Sequence, residues 1–593
     1  MSLTRLKLAI GLCAALLTPQ LQAAPIAWQT RWSDAVFAQA SREHRFVILD
    51  LHAVWCHWCH VMDEQTYGDS KVQSLIAKRY LAVSVDADSD PDLSSRYGDW
   101  GWPATIVLAA DGTEIVKRRG YLPPQQMAAL LQAIIDDPSP GPSVTPAIVI
   151  GSGGGSHLTA GDRRALTTAY DEIYDESHGG WGDIHKYIDA AALELTFAKI
   201  DGGDAVALRR ARQTLDANLR LIDPVWGGVY QYSDQVDWNS PHYEKLLAFQ
   251  ADDLRMYSDA YARWKDPRYL AAAQSLYRYM TRYLAAPDGG FYVSQDADLS
   301  QKITGHEFYG KDDAGRRAAG LPRIDMHEYA REAGWAIRAL CKFYDVTGDE
   351  HALAYAQRTA RWAIDNRASP DGAFRHDAND RAGPFLEDSL SMAQAFVALY
   401  RSSGERVWFA RAGAALDFVE KQYHDPQAGY TAVRSSGNQH GVFRTAVRQP
   451  DQNAALVRVT SLMHRYSGDA RYEKMARHAM KYLAAFARQA RKQLHAEILL
   501  ADRELAGAPI HITVVGSKAD AAARGLHAAA LRYPSDYLQI DWWDRDEGPL
   551  PNPEIQYPQL DRAAAFACTA SACSMPVFDS AELEPAVRSA LAH

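Results

Sequence analysis

The apolar positions change period along the chain. Between residues 25 and 137 they come as short runs, such as Phe46-Val47-Ile48-Leu49 and Ile106-Val107-Leu108, separated by amphipathic stretches. That alternation predicts a domain of buried strands covered by helices. Beyond residue 160 the spacing becomes helical: Ala273, Tyr277, Met280 and Leu284 share one face, as do Leu386, Leu390, Ala393 and Val397. Roughly eleven or twelve such helices fit between Asp162 and Arg532. Residues 139–156 (SPGPSVTPAIVIGSGGGS) break both patterns with a linker composition of Pro, Gly and Ser. The expected division is a leader over 1–23, an α/β domain over 25–137, a linker over 138–160 and a helical domain over 161–593.

Within the helical part a motif recurs between helix pairs: Gly179-Gly180-Trp181, Gly227-Gly228-Val229-Tyr230, Gly289-Gly290-Phe291-Tyr292, Asp371-Gly372-Ala373-Phe374 and Ala428-Gly429-Tyr430. The spacing is too uneven for a solenoid but suits a closed ring of helical hairpins, an all-α (α/α)6 toroid. Trp181, Tyr230, Tyr292, Phe374 and Tyr430 then either line a central funnel or plug the hairpin turns. Near the C-terminus His511–Gly516 and Tyr537–Ile540 flank an alanine-rich stretch, which predicts a small α/β element. The lone Gly516 makes no phosphate loop, so no nucleotide cofactor is expected.

With 593 residues, 47% hydrophobic and 23% charged, the composition is that of a multidomain globular protein. Arg5 and Lys7, the apolar run Leu8–Leu17, Pro19 and the small Ala23 and Ala24 have the layout of a secretory leader cleaved after Ala23. Export, to a periplasm, follows as the expectation, with no membrane association after cleavage. A lipid anchor at Cys13 fits poorly, because Leu12 precedes it and the apolar run continues past it. Losing Arg5 and Lys7 takes the net charge from −10 to about −12, which argues against a nucleic-acid partner. Five cysteines remain: the close pairs Cys56/Cys59 and Cys568/Cys573, both able to cross-link in an oxidising compartment, and the single Cys341.

The first pair carries the chemistry. The strand ending near Leu51 leads through Ala53-Val54-Trp55 into Cys56-His57-Trp58-Cys59, which opens a helix. A cysteine at a helix N-terminus meets the positive end of the dipole and free N–H groups, so Cys56 is the expected nucleophile and Cys59 the resolving thiol. A charged His57 lowers the Cys56 pKa further. Asp50, six residues earlier, is placed to take the Cys59 proton. Gly101-Trp102-Pro103 opens the next strand, and Pro103 is a candidate cis-proline that, with Trp55 and Trp58, would hold a substrate chain. His52, Cys56, His57, Cys59 and His60 also offer soft metal ligands, but one helix turns them in different directions, so no metal is expected. In this order, the aspartate, the Trp before the first cysteine, Cys-x-x-Cys at a helix start and the later proline resemble the thioredoxin superfamily.

The longer motif Trp55-Cys56-His57-Trp58-Cys59-His60-Val61-Met62, with Gly101-Trp102-Pro103, resembles the spermatogenesis-associated thioredoxin-like family, which joins such a domain to a barrel like those of six-hairpin glycosidases and N-acylglucosamine epimerases. The resemblance continues through Pro241–Leu246 (PHYEKL), Gly289–Asp298 (GGFYVSQDAD), Phe385–Asp388 (FLED) and the Cys568–Pro576 stretch. It departs at Gly179–Tyr187 (GGWGDIHKY) and Gly228–Tyr232 (GVYQY), where a histidine and an arginine of the family pattern are absent.

A sugar-active barrel needs paired carboxylates or paired histidines. The candidates are His242 and Glu244, expected to open a helix, Asp296 and Asp298 with Glu307 nearby, and Glu387 with Asp388 at another helix start; each also fits an ordinary cap. Cys568 and Cys573 are either a local disulfide or an internal redox partner of Cys56 and Cys59. Three functions remain in view: a thiol-disulfide oxidoreductase acting on protein thiols or an exported redox partner, with the barrel recruiting substrate; a carbohydrate-active enzyme binding a sugar-like ligand; and a noncatalytic binding protein.

Overall fold

The computed structural model describes residues 25–144, 155–378, 383–434, 440–569 and 573–591. The expected leader and residues 145–154 of the linker lie outside them.

The N-terminal unit runs α1 (Asp34–Glu43), β1 (Phe46–His52), α2 (His57–Gln65), α3 (Ser70–Arg79), β2 (Tyr80–Asp86), α4 (Pro91–Tyr97), β3 (Ala104–Leu108), β4 (Glu114–Arg119) and α5 (Pro124–Asp136). The sheet order is β2-β1-β3-β4, with β1 parallel to β2 and antiparallel to β3. Strand side chains alternate between faces. Val47, Leu49 and Leu51 pack toward α1 and α4, whereas Ile48 packs with Met62, Val72 and Met127 of α2, α3 and α5. Asp50 shares the Ile48 face and so points toward α2.

Among the described residues twelve helices form the body: α6 (Ala160–Glu172), α7 (Ala190–Asp201), α8 (Ala205–Asn218), α9 (Leu247–Trp264), α10 (Pro267–Tyr279), α13 (Ala330–Thr347), α14 (Glu350–Asn366), α15 (Leu386–Ser403), α16 (Arg406–Tyr423), α17 (Pro450–Ser467), α18 (Ala470–Ala487) and α19 (Ala496–Ala506). Two short helices, α11 (Gly305–Tyr309) and α12 (Asp313–Ala319), lie in the α10–α13 connection. Helices α7, α9, α13, α15, α17 and α19 each pack on the next, and α19 closes on α7. The partners α8, α10, α14, α16, α18 and α6 lie outside them. This is the expected (α/α)6 toroid.

Inner helices pass to outer ones through short turns, Gly348-Asp349 and Gly468-Asp469 among them, whose aspartates cap the outer helix. The outer-to-inner loops are longer and carry the glycine–aromatic motif. There the aromatics plug the turns: Trp181, Tyr230, Phe374 and Tyr430 are buried, and Trp181, Phe374 and Tyr430 bridge back to the preceding helix end. Gly228 shows why the motif needs glycine, since its φ is +79° and a Cβ would lie 2.6 Å from the Tyr279 ring.

The loops also hold β5 (Tyr232–Ser233), β6 (Pro241–His242), β7 (Lys245–Leu246), β8 (Ser294–Gln295) and β9 (Ile324–Asp325). The C-terminal element comprises β10 (Ile510–Val515), α20 (Ala521–Leu531), β11 (Leu538–Trp543), β12 (Ala564–Cys568) and α21 (Leu583–Leu591), with β10 between parallel β11 and antiparallel β12. It seats on the C-terminal ends of the inner helices, where Tyr400 Oη donates to Asp541 at 2.7 Å and Tyr466 Oη to the Ile540 carbonyl at 3.3 Å.

The N-terminal domain seats on the opposite end. Arg96 donates to the carbonyls of Val442 and Thr445 and lies over the Phe443 ring, which also meets Trp32. Gly112 and Gly441 meet across this contact, the Val442 N–H reaching the Gly112 carbonyl at 3.2 Å; a Cβ on Gly441 would lie 1.9 Å from that oxygen.

Candidate functional site

Cys56 caps α2, its Sγ accepting from the Cys59 N–H at 3.1 Å, and it forms a disulfide with Cys59. Asp50 is 2% exposed and accepts from Tyr67 Oη at 3.1 Å and Ser84 Oγ at 3.2 Å. Burial, reinforced by repulsion from Asp63, pushes its carboxyl up to about 7. Asp63 lies one turn beyond Cys59 on α2, so Asp50 faces the side of α2 that carries the resolving cysteine. The Trp102–Pro103 peptide is cis, as expected, and Pro103 is buried.

The barrel rim covers this motif. Cys56 is 4% exposed and Cys59 3%, packed with Trp55, Trp102, Leu246 and Phe249. The Trp55 Nε1–H donates to Asp88 at 2.7 Å, so this ring is fixed, whereas Trp58 stays 44% exposed beside Tyr121.

His57 Nδ1–H donates to Asp298 at 2.6 Å, and its backbone N–H reaches Glu244 at 3.4 Å. The Asp298 hydrogen bond raises the His57 pKa against the opposing effect of burial, and His57 in turn holds the Asp298 carboxyl low although burial opposes it. His60 lies 3.9 Å from Asp296, whose carboxyl burial pushes to about 6. Burial lowers the His242 pKa, but the Glu244 and Asp234 carboxylates outweigh it and leave a net rise; they lie 3.6 Å and 2.7 Å away.

The structure therefore gathers His242, Glu244, Asp296 and Asp298 against the helix that carries Cys56. His242 and Glu244 do not open a helix: His242 pairs in β6, where its carbonyl accepts from the Gln231 N–H, and α9 begins at Leu247. Glu307 lies apart, an exposed residue closing a capping box with Thr304 on α11. Glu387 pairs with Arg331 at 3.3 Å.

His376 joins the site without having stood out in the sequence. It is 1% exposed, donates to Asp388 at 2.9 Å and to the Asp88 carbonyl at 2.7 Å, and stacks on Tyr329. Burial opposes its charge, but Asp388 wins and raises its pKa to about 9. Its signal was its position two residues beyond Phe374 of a glycine–aromatic turn.

Cys568 and Cys573 form a disulfide at the end of β12. They lie at the far end of inner helices that, at eighteen residues, are about 27 Å long, so direct exchange with Cys56 within one molecule is excluded. Cys341 is buried, and burial raises its pKa. Among the described residues no group of three or more His, Cys, Asp or Glu is arranged to hold a metal ion.

Residues 14–136 match the family Thioredox_DsbH, described as a protein of unknown function, DUF255. Mouse spermatogenesis-associated protein 20 is 27% identical over 313 residues, 46% of this chain and 39% of that protein's length, so the chain matches about two fifths of these curated relatives. The thiol:disulfide interchange protein DsbD of Pseudomonas sp. is 34% identical over 79 residues, 13% of this chain and 14% of that protein. Among solved structures, a ruminal-bacterium sugar epimerase aligns with TM-score 0.43 and 15% identity, covering 55% of this chain and 86% of the epimerase. A D-mannose isomerase aligns with TM-score 0.44 and 10% identity, covering 58% and 96%. The chain is thus similar in part to spermatogenesis-associated protein 20, and it joins a thioredoxin-like domain to a helical barrel.

Proposed function

We propose that the protein is a thiol-disulfide oxidoreductase whose redox pair, Cys56 and Cys59, works beneath the rim of its own barrel. The observation that carries this reading is the pairing of a helix-capping Cys56 with a buried Asp50 poised near neutrality on the Cys59 side of α2. The likeness to thiol:disulfide interchange proteins over the same domain supports it.

A substrate thiolate attacks Cys56 Sγ, forming a mixed disulfide and expelling the Cys59 thiolate, which takes the proton of neutral Asp50. The second substrate thiolate then attacks the substrate sulfur, releasing the Cys56 thiolate and an oxidised substrate; two electrons have passed to the enzyme. Run backward, with ionised Asp50 drawing the Cys59 proton, the same steps reduce a disulfide. Charged His57, held by Asp298, and the α2 dipole favour the Cys56 thiolate. The partners in this reading are exported protein thiols and a second thiol-disulfide couple, in an oxidising compartment such as a periplasm. Substrate enters when Leu246 and Phe249 lift from the cysteines.

The test is exchange between glutathione and a fluorescent disulfide peptide. The full chain is expected to catalyse it, Cys56→Ser to abolish it, and Cys59→Ser to accumulate a mixed disulfide at Cys56. Unchanged turnover in Cys56→Ser refutes the reading.

A second reading, a sugar-like ligand in the barrel mouth, is favoured by acids on the first turns of the inner helices. Asp451, exposed in the first turn of α17, has its carboxyl pushed up to about 7 by the surrounding protein and by Glu387; Asp189, the N-cap of α7, is held at about 6 by burial, with Glu497 adding to it. Such acids suit proton transfer to a glycosidic or hydroxyl oxygen. Oligosaccharide binding that survives replacement of both Cys56 and Cys59 and is lost in Asp451→Asn supports this reading; no binding by the unaltered chain overturns it.

A further inference from the structure

Half-way down the barrel, away from the mouth, a cavity of about 130 Å³ takes side chains from all six inner helices: Glu194, Arg255, Arg338, Gln394, Arg458 and Glu504 line it in helix order. Asp536 and Tyr537 of the C-terminal element close its floor. That volume holds several waters or one small anion.

The lining carboxylates already have cations. Glu194 is shared by Arg255 and Arg458, Glu504 serves Arg458, and Asp259 serves Lys342. Asp536 pairs with Arg263, and Arg401 is held by Asp345 at 3.0 Å. Arg338 differs. Among the described residues its one side-chain hydrogen bond is to Gln394 Oε1 at 3.2 Å, and no carboxylate lies within ion-pair distance of it. Its guanidinium is held down to about 9, first by burial and then by repulsion from Arg255, which the more distant Glu194 and Asp252 carboxylates offset only in part. Arg338 is half-buried, and a cation so placed beside other cations is held less favourably than one with a carboxylate partner. A planar fork of N–H donors facing a water-sized cavity matches a carboxylate or phosphate oxygen pair.

We propose that this distal lumen binds a small oxyanion, a carboxylate or phosphate group, through Arg338 with Arg255 and Arg458 flanking it. The site begins at the middle of the inner helices and extends toward their C-terminal ends, separate from the cysteines, so it stands independently of the redox reading.

The experiment titrates the full chain with malonate and with inorganic phosphate against chloride of matched ionic strength, following Tm and heat of binding. At least one oxyanion is expected to bind saturably and raise Tm with the logarithm of its concentration. In Arg338→Met that binding weakens at least tenfold; Arg338→Gln serves if the first variant does not fold. Two results overturn the proposal: no oxyanion binding by the parent beyond the chloride control, or equal affinity in the folded variant.

Discussion

Asp50→Asn separates the stability cost of the buried acid from its chemical use. The side chain is 2% exposed and hydrogen-bonded to Tyr67 and Ser84, contacts the amide can retain. Its pKa of about 7 against 3.8 means that between those values the unfolded chain has released a proton that the folded chain keeps. The stability tied to neutral Asp50 is therefore fully present below pH 3.8 and is lost as pH rises through 7, a span of roughly 4 kcal/mol. Asparagine cannot ionise, so the variant should match the parent near pH 4 and exceed it by a few kcal/mol at pH 8. Hydrogen exchange of the β1 amides, compared between the two proteins at each pH, reads the opening free energy of this domain directly. Disulfide exchange in the same variant should slow by about a hundredfold, the usual loss when a proton-transfer group is removed. A stability difference that does not grow between pH 4 and 8 would mean that Asp50 is not held neutral in the fold, and an unchanged exchange rate would mean that it moves no proton.

Asp298→Asn removes the 2.6 Å partner of His57, and the His57 pKa should fall. Because the parent value is raised, the part of the lost stability tied to the His57 charge should be greatest below pH 6.5 and vanish above the raised pKa; with His57 one-third open to water it should be only about 0.5 kcal/mol. The pH profile of Cys56 alkylation in the reduced protein should move with it. Phe249→Ala thins the cover over the disulfide, and a loss of about 1.4 kcal/mol from a half-buried ring would speed reduction by glutathione about tenfold. Replacing Cys568 and Cys573 together should leave the Cys56–Cys59 potential unchanged, because the barrel stands between the pairs; a shift seen at all protein concentrations would contradict the placement.

The redox motif was legible because its parts are local: Cys56 and Cys59 sit one turn apart at a strand-to-helix junction, and Asp50 is on the strand before it. The ring was legible from the change of period and the glycine–aromatic turns, although the burial of Trp181 and Tyr430 settles those rings as plugs. The Gly-Asp turns at 348–349 and 468–469 were equally visible and mark the other rim. What could not be read is pairing across the fold. His57 meets Asp298 over 241 residues, and His376 reaches Asp88 over 288. Helical spacing also puts Arg338 on an inward stripe without distinguishing a packed core from a water-sized lumen. Those distinctions depend on how six helices close and where the first domain lands, and neither leaves a local trace.

The most direct test of the central claim is the equilibrium between the full chain and glutathione buffers of graded poise, with every cysteine mapped by mass spectrometry. Cys56 and Cys59 are expected to interconvert as one two-electron couple between roughly −120 and −270 mV, while Cys568–Cys573 stays oxidised throughout. A Cys56–Cys59 pair that remains locked across that range would contradict that claim and leave the motif a structural clasp between the two domains.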